Sequence, residues 1–182
     1  MEIDKVERVA RLVRQRNELE EQLSREIGRP ALRGHLGEWL AEQIFGIRLE
    51  KSAAAKAIDG RFGAGALEDK TVNVKFYGKR EGLLDLTTQP GIDFYLVFAG
   101  PPAAAVSSRG ATRPSVISCC YLFDAHQLHA EQVRRGVGVG IASSVPAPLW
   151  DQAELYPTNR NRLLEVTPEQ QRLLALFAPT GG

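Results

Sequence analysis

Several features that mark other classes of protein are missing from this chain of 182 residues. There are only two cysteines, Cys119 and Cys120, and because neighbouring residues of a strand point to opposite faces, a bridge between them would be badly strained. We therefore expect buried free thiols and a reducing, cytoplasmic location. No apolar run approaches the length of a membrane span. Because residues 1–30 are charged and helical in pattern, we do not expect them to be a signal peptide.

An excess of charge of one sign is also missing. The formal net charge is +1, so no overall field draws the protein to nucleic acid, although a local basic patch would suffice for binding. The 43% of hydrophobic and 25% of charged residues are ordinary for a soluble globular protein, which at this length buries a core without disulfides or metals. The length indicates one domain with an appendage.

Three common site motifs are absent or incomplete. No Gly-x-Ser-x-Gly sequence is present, which argues against a serine hydrolase. The alternating glycines of residues 136–140 lack the helix and the lysine of a phosphate loop. Asp124, His126 and His129 do not have the spacing of a zinc site, and no thiol accompanies them. None of these segments therefore predicts a function.

Apolar periodicity and capping residues predict a mixed α/β protein. The expected helices span residues 2–27, 32–45, 124–135 and 168–177, and the expected strands span residues 47–51, 53–59, 71–77, 83–86, 93–99, 116–123 and 137–141. We divide the chain into an N-terminal amphipathic helix (1–30), a domain (31–178) and a disordered tail (179–182). The N-terminal helix packs either on its own domain or on a second subunit.

The most specific chemical pattern joins two of the expected strands. Asp59 ends one of them in Ile58-Asp59-Gly60, and the other is the apolar segment Thr71–Tyr77, which contains Asn73 and Lys75. Because side chains alternate between the faces of a strand, Asn73 and Lys75 point the same way, while the apolar residues between them point into the core. A carboxylate near a strand that carries a lysine is the minimum equipment of a metal-dependent phosphodiesterase.

Asp59, Asn73 and Lys75, with Glu38 on the preceding helix, resemble the motif of the PD-(D/E)XK nuclease superfamily. That motif is an acid on one strand, then an acid, any residue and a lysine on the next, and many members add a glutamate from the preceding helix. The resemblance covers about residues 32–130, in the order of motifs and elements. It implies a restriction-endonuclease-like fold, a three-layer α/β/α core with a mixed central sheet in the order helix, three-stranded meander, helix, strand. The N-terminal and C-terminal helices are additions to that core.

The same resemblance implies that the protein hydrolyses phosphodiester bonds of DNA with Mg²⁺ or Mn²⁺. Glu38 and Asp59 would hold the metal, the backbone carbonyl of Val74 would add an oxygen, and Lys75 would assist attack by water. The metal would neutralise the phosphate and stabilise the charge that develops at phosphorus. Asn73 replaces the second acid of the motif with a neutral oxygen, which weakens metal binding. Activity then depends on the helix acid Glu38, with Glu42 and His35 as accessory candidates.

Basic residues near the predicted site suit a groove that follows a nucleic-acid backbone. They are Arg33, Arg61, Lys70, Lys79 and Arg80, with Arg109 and Arg113 on a long loop. The resemblance also implies a homodimer, because two DNA strands require two sites. Two alternatives remain open. One is the same fold without catalysis, binding nucleic acid or a partner protein, and the other is an unrelated α/β protein in which Asp59 and Lys75 form a plain salt bridge.

Overall fold

The computed structural model describes residues 3–50, 57–105 and 112–179, and these ranges contain five α-helices and eight β-strands. The helices are α1 (Ile3–Ile27), α2 (Arg33–Phe45), α3 (Ala125–Arg135), α4 (Ala147–Ala153) and α5 (Pro168–Ala175). The strands are β1 (Ile47–Leu49), β2 (Gly60–Phe62), β3 (Thr71–Tyr77), β4 (Leu83–Leu84), β5 (Phe94–Ala99), β6 (Cys119–Asp124), β7 (Ser143–Ser144) and β8 (Glu154–Tyr156).

Three of the helices begin or end at the residues that capping signals predict. Gly46 ends α2 in the left-handed conformation, with a φ of 64°, which a residue without Cβ adopts easily. The side chain of Asp124 caps α3 by accepting a hydrogen bond from the backbone of the first turn. Thr167 and Gln170 form a reciprocal capping box at the start of α5. These local interactions confirm the expected positions of α2, α3 and α5.

Six strands form one mixed sheet in the order β1-β2-β3-β5-β6-β8. β1, β2 and β3 make an antiparallel meander, β5 lies parallel to β3, and β6 and β8 are each antiparallel to the strand before them in the sheet. The short strands β4 and β7 pair with each other apart from this sheet. The predicted mixed α/β organisation around a mixed sheet is therefore confirmed.

Helices cover both faces of the sheet and bury a separate core on each. The first core joins α2 and α5 to Phe94, Leu96 and Phe98 of β5, and the second joins α3 and α4 to Tyr95 and Val97 of the same strand. Every residue of β5 is buried. A strand that is covered on both faces is a continuous apolar run without polar alternation, which is why the sequence of β5 predicted it well.

Each core also contains one of the two tryptophans. Trp39 of α2 is half-buried against the first core, whereas Trp150 of α4 is only 2% exposed within the second. The ring of Trp150 stands edge-on to Tyr121 and Phe123, with centroid distances of 4.8 and 4.9 Å. The sequence did not predict the helix that carries Trp150. Pro148 lies in the first turn of α4, where a missing N–H costs nothing.

The connection from β3 to β5 differs from the order that the resemblance implies. That order places a helix between the meander and the next strand, but residues 78–93, all of which are described, contain the two-residue strand β4 and no helix. Leu84, Leu86 and Ile92 of this connection are buried in the second core instead. An extended segment therefore packs on the face of the sheet that carries the second core, in place of the implied helix.

Two expected strands are not formed as predicted. Residues 137–141 contain no strand, and the chain pairs only later, at β7. The prediction that a strand ends at Asp59 was wrong, because Asp59 precedes a strand: β2 begins at Gly60. A Cβ on Gly60 would lie 2.6 Å from the carbonyl oxygen of Arg48, so this glycine allows β1 and β2 to approach closely. Residues 51–56 lie outside the described ranges.

The remaining expectations concern the ends and the chemistry of the chain. The N-terminal helix is present as α1, and the predicted disordered tail lies outside the described residues except for Pro179. Cys119 and Cys120 are both free, and Cys120 is fully buried. Of the helices in the described ranges, none combines the length and the apolar character needed to cross a bilayer.

Candidate functional site

Asp59 lies at the point where β2 leaves β3. β2 pairs with β3 only at Gly60 and Arg61, and one further bond joins the N–H of Asp59 to the carbonyl of Val72 at 3.0 Å. The next N–H along that edge of β3 belongs to Val74, and it donates to the Oδ2 atom of Asp59 at 2.6 Å. The carboxylate therefore continues the sheet hydrogen bonding where the backbone of β2 no longer can.

The same hydrogen bond shows which edge of β3 the backbone carbonyl of Val74 faces. The N–H and the C=O of one strand residue point to the same neighbouring strand. Because the N–H of Val74 reaches Asp59, its carbonyl is directed to the same edge of β3, which is where the predicted metal ligand would be needed. The side chain of Val74 packs in the first core, as expected.

Three charged groups act on Asp59. Burial raises the pKa of Asp59, and the hydrogen bond from Val74 opposes this shift. The negative charge of Glu38 raises the pKa further, while the positive charges of Lys75 and Arg29 lower it. Glu38, Lys75 and Arg29 are thus close enough for their charges to act on Asp59. The structure brings Glu38, Asp59 and Lys75 into one electrostatic cluster, and the net result is a raised pKa for Asp59.

Glu38 is positioned by a close contact between α2 and β3. A Cβ on the preceding residue, Gly37, would lie 3.1 Å from the Cβ atom of Phe76 and 3.6 Å from Cγ1 of Val74. The absence of a side chain at Gly37 therefore lets this turn of α2 lie directly on β3. Glu38 is consequently held near the edge of the sheet at which Asp59 lies.

The carboxylate of Glu38 forms an ion pair with the guanidinium of Arg29. Only 20% of the Glu38 side chain is exposed, so the pair is partly withdrawn from water. Arg29 was not among the residues predicted from the sequence. It follows the end of α1, and nothing in the periodicity of α1 or α2 indicates that the chain folds back to place it beside Glu38. A metal ion at this site would compete with Arg29 for the carboxylate.

Lys75 is half-buried on β3 and lies opposite Val97 of β5. Its ammonium group forms neither an ion pair nor a hydrogen bond with any of the described residues, although its charge acts on Asp59. The plain salt bridge between Asp59 and Lys75, which the second alternative requires, is therefore not formed. A lysine without a partner beside a carboxylate is available to bind an anionic ligand or a water molecule.

Asn73 is buried, although the sequence placed it with Lys75 on the face of β3 opposite the apolar residues that point into the core. Its side chain is only 4% exposed, because the connection to β5 and the second core cover that face. Nδ2 donates to the carbonyl of Ala57 at 2.8 Å, which fixes the backbone two residues before Asp59. Oδ1 is buried and has no hydrogen-bond partner among the residues that the structure describes. This unsatisfied oxygen is of the type that cations bind, and its isolation carries a desolvation cost.

The residues present fit Mg²⁺ only if water completes most of its coordination shell. No group of three or more His, Cys, Asp or Glu side chains comes together in the part of the chain that the structure describes. The available oxygens are those of Glu38 and Asp59 and the Val74 carbonyl. Mg²⁺ is commonly held by one or two carboxylates while it keeps several waters, so two acids meet that minimum.

The accessory candidates have local roles. Glu42 is exposed one turn beyond Glu38, and its charge is not among those that shift the pKa of Asp59. The Nδ1 atom of His35 lies 2.9 Å from the carbonyl oxygen of Pro30, within the turn that joins α1 to α2. Neither side chain is therefore needed to explain the cluster around Asp59.

The predicted basic residues are distributed over several parts of the structure. Arg33 donates to the backbone carbonyl of Arg113, and Arg61 donates to the carbonyl of Asp69 at 3.1 Å. The guanidinium of Arg80 lies 5.8 Å from the centre of the Trp150 ring. The others are the half-buried Lys79, Lys70, whose Nζ is 3.6 Å from Oδ1 of Asp93, Arg113, which forms an ion pair with Glu81 at 2.7 Å, and Arg109, which lies outside the described residues. Nucleic-acid binding by this set remains a prediction.

A cavity of 580 Å³ lies away from this cluster. It is formed by the end of β6, the start of α3, the end of α4 and residues 160–163, and it contains none of the predicted site residues. Asn161 holds its wall together by donating to the carbonyls of Leu122 and Ala153 at 2.8 and 3.0 Å. Because these bonds satisfy Asn161 within the fold, we assign the residue a structural role.

The cluster of Glu38, Asp59 and Lys75 is accordingly the strongest candidate site in the described residues. No protein-family model matches this chain, and no curated protein is significantly similar to it in sequence.

Proposed function

We propose that this protein is a metal-dependent nuclease of the PD-(D/E)XK type that hydrolyses phosphodiester bonds of DNA. One observation carries the proposal: the carboxylate of Asp59 is fixed on the edge of β3 within electrostatic reach of both Glu38 and Lys75. The order of α2, the antiparallel meander and the parallel strand β5 supports the restriction-endonuclease-like fold. The missing helix between β3 and β5 is a departure from it.

In this proposal Glu38 and Asp59 hold Mg²⁺ or Mn²⁺, together with the carbonyl of Val74. The bound metal would supply charge neutralisation of the phosphate and a more acidic water. Lys75 donates to the scissile phosphate or to the attacking water, since its ammonium has no other partner among the described residues. Asn73 keeps the segment before Asp59 in place through its bond to Ala57, so its role is positional.

Cleavage assays on plasmid and oligonucleotide DNA test this function. The wild-type protein is compared with Asp59→Asn and Lys75→Met in Mg²⁺, Mn²⁺ and EDTA. We expect cleavage by the wild type only with metal, and a loss of at least about 100-fold in both variants, which is the usual size of an electrostatic contribution to catalysis. Arg172→Met is the control, because it also removes one positive charge, and Arg172 is an exposed residue of α5 that pairs with Glu169 outside the cluster and outside the predicted basic set. Equal cleavage by all four proteins would contradict the proposal.

A second function is favoured by the ion pair between Arg29 and Glu38. The guanidinium supplies, from within the chain, part of the positive charge that a metal would supply, and Asn73 lacks the charge of the missing acid. A protein with this arrangement would bind nucleic acid or a partner protein without cutting. In that case DNA binding measured in EDTA equals binding in Mg²⁺, and no metal supports cleavage.

DNA as the partner, a homodimer and a cytoplasmic location belong to the same proposal. Two copies would supply one site for each strand of a duplex. The two free cysteines agree with a reducing compartment.

A further inference from the structure

α1 exposes the apolar stripe that its sequence predicted would be buried. Val6, Val9, Leu12, Val13, Leu19 and Leu23 are between 38% and 65% exposed. Ile27, at the end of the helix, is the large apolar residue of α1 that the first core buries. Of the two arrangements that the sequence allowed, packing of the whole helix on its own domain is therefore not the one observed.

The six exposed side chains lie on one side of the helix. Successive residues of an α-helix are about 100° apart, which places these six within an arc of about 140°. Arg16 and Glu20 lie near the middle of the same arc and form an ion pair within the helix at 3.4 Å. A partner that covers the stripe must accordingly present apolar groups to both ends of it. At its centre the partner must also pair with one positive and one negative side chain.

The charges of α1 are divided between its two halves. Residues 3–16 contain five basic and two acidic side chains, a net charge of +3, and residues 17–27 contain one basic and four acidic side chains, a net charge of −3. A nucleic-acid backbone or an acidic membrane would meet repulsion along the second half. A surface that complements this helix is acidic along the basic half of α1 and basic along the acidic half.

We propose that α1 pairs with the α1 of a second copy of this chain in an antiparallel two-helix coiled coil. Reversing the direction of an identical helix produces the required complement, because the basic half of each copy then lies along the acidic half of the other. With the two helices centred on Glu18, Arg16 faces Glu20 of the second copy and Val13 faces Leu23 of the second copy. In a parallel pair, Arg16 would instead face Arg16 of the second copy and Glu20 would face Glu20, so that like charges would repel.

The length of α1 is sufficient for such a pair. At about 1.5 Å per residue, its 25 residues extend about 38 Å. Isolated helices shorter than about 12–15 residues are marginal in water, and a long helix with an uncovered stripe gains most of its stability from a partner. The pairing follows from α1 alone, so it is independent of whether the cluster at Asp59 is catalytic.

Sedimentation or light scattering of the full chain tests the pairing. We expect the wild type to be a dimer at micromolar concentration and a Leu12→Glu/Leu19→Glu variant to be a monomer. Gln15→Glu/Gln22→Glu is the matched control, since it adds the same two charges outside the stripe, and it should remain a dimer. Circular dichroism shows that each variant is folded. A monomeric wild type, or a dimer that survives Leu12→Glu/Leu19→Glu, overturns the proposal.

The direction of the pair is tested by disulfide formation. Val13→Cys and Leu23→Cys proteins are oxidised separately and as a mixture, with the wild type as the control for Cys119 and Cys120. An antiparallel pair predicts at least tenfold more cross-linked dimer in the mixture than in either variant alone. Cross-linking of each variant with itself, at the level of the mixture or above, would show a parallel pair and overturn the antiparallel arrangement.

Discussion

The side chain of Asp59 accepts the N–H of Val74 at the place where a backbone carbonyl of β2 would otherwise accept it. One carboxylate thereby serves the fold and the candidate site together. Its Oδ2 atom completes the hydrogen bonding of β3, and its charge interacts with Glu38, Lys75 and Arg29. Substitutions at Asp59 should consequently change both stability and activity, and the two effects can be separated by the choice of side chain.

Asp59→Ala should destabilise the protein more than Asp59→Asn. Alanine leaves the N–H of Val74 without an acceptor, which costs about 1–3 kcal/mol when the donor is buried, whereas the asparagine carbonyl can still accept it. Urea denaturation measures the difference. Asp151→Ala is the control, because Asp151 is exposed in α4 and its ion pair with Arg160 should contribute no more than about 1 kcal/mol. Equal stability of Asp59→Ala and wild type would show that this hydrogen bond is not formed.

The stability that depends on Asp59 should fall as pH rises through the acid range. Its folded-state pKa is raised, chiefly by burial, so the folded protein holds the proton more tightly than the unfolded chain. Between the ordinary carboxyl pKa and the raised value, wild type therefore loses stability relative to Asp59→Asn as the pH increases. Above the raised pKa the difference becomes constant. Unfolding free energies of both proteins, measured across this range, test the sign.

Asp93 should behave in the opposite way and is the internal comparison. Burial alone would raise the pKa of Asp93, but hydrogen bonds from the N–H and the hydroxyl of Thr71, both at 2.9 Å, and the charges of Lys70 and His126 lower it overall. The stability contributed by its ionised form is present above the ordinary carboxyl pKa and is lost as pH falls through the lowered value. If the stability difference from wild type changed with pH in the same direction for Asp59→Asn and Asp93→Asn, the raised pKa assigned to Asp59 would be wrong.

Arg29→Gln should increase the affinity of the site for Mg²⁺. Removing the guanidinium frees the carboxylate of Glu38 from its ion pair, and the loss of a nearby positive charge favours a cation. We expect the Mg²⁺ concentration for half-maximal cleavage to fall by about three- to tenfold, because the partly exposed pair contributes about 1 kcal/mol.

Arg25→Gln is the control for this change, since it removes an arginine from an exposed ion pair with Glu21 in α1. The same shift in both variants would indicate a general effect of charge. A lower Mg²⁺ concentration for half-maximal cleavage in Arg29→Gln alone would locate the metal at Glu38. The absence of metal-dependent cleavage in every variant would favour the binding function.

Gly37→Ala should destabilise the protein although alanine is the better helix former. The new methyl group would meet Phe76 at 3.1 Å and would move α2 away from β3, at a cost of about 1–3 kcal/mol. Glu38 would move with the helix, so cleavage should fall as well. Gly34→Ala, in the same helix but with no atom within 4 Å of its Cβ, should instead stabilise by about 0.5–1 kcal/mol. Thermal unfolding of the two variants provides the comparison.

The parts of this structure that the sequence predicts are those decided by neighbouring residues. Gly46, Asp124 and Thr167 end or begin their helices through bonds within one turn, and a run such as Phe94–Ala99 can be stable only as a covered strand or helix. β2 was not predicted as a strand, because three residues pair there only as a consequence of the close approach at Gly60. α4 is a short helix that packing in the second core stabilises, and a short sequence gives little sign of that.

The candidate site divides in the same way. Glu38 and Lys75 lie on elements that the sequence indicates, α2 and β3, and the resemblance implied that Asp59 lies near them; their charges do act on Asp59, although Asp59 precedes β2 and does not end a strand. The ion pair from Arg29 could not be predicted, because it depends on the direction in which the chain turns between α1 and α2. The burial of Asn73 depends on the connection from β3 to β5, whose path over the sheet has no local signature.

The positions of the two tryptophans have a spectroscopic consequence. Trp39 lies with the first core and Trp150 with the second, on opposite faces of one sheet. Trp39→Phe and Trp150→Phe proteins would each keep one fluorophore, and each emission spectrum would follow the solvation of one layer. Coincident denaturation curves would show that the sheet and both helical layers unfold as one cooperative unit. Separate midpoints would identify the layer that opens first, and with it the stability of the helix layer that carries Glu38.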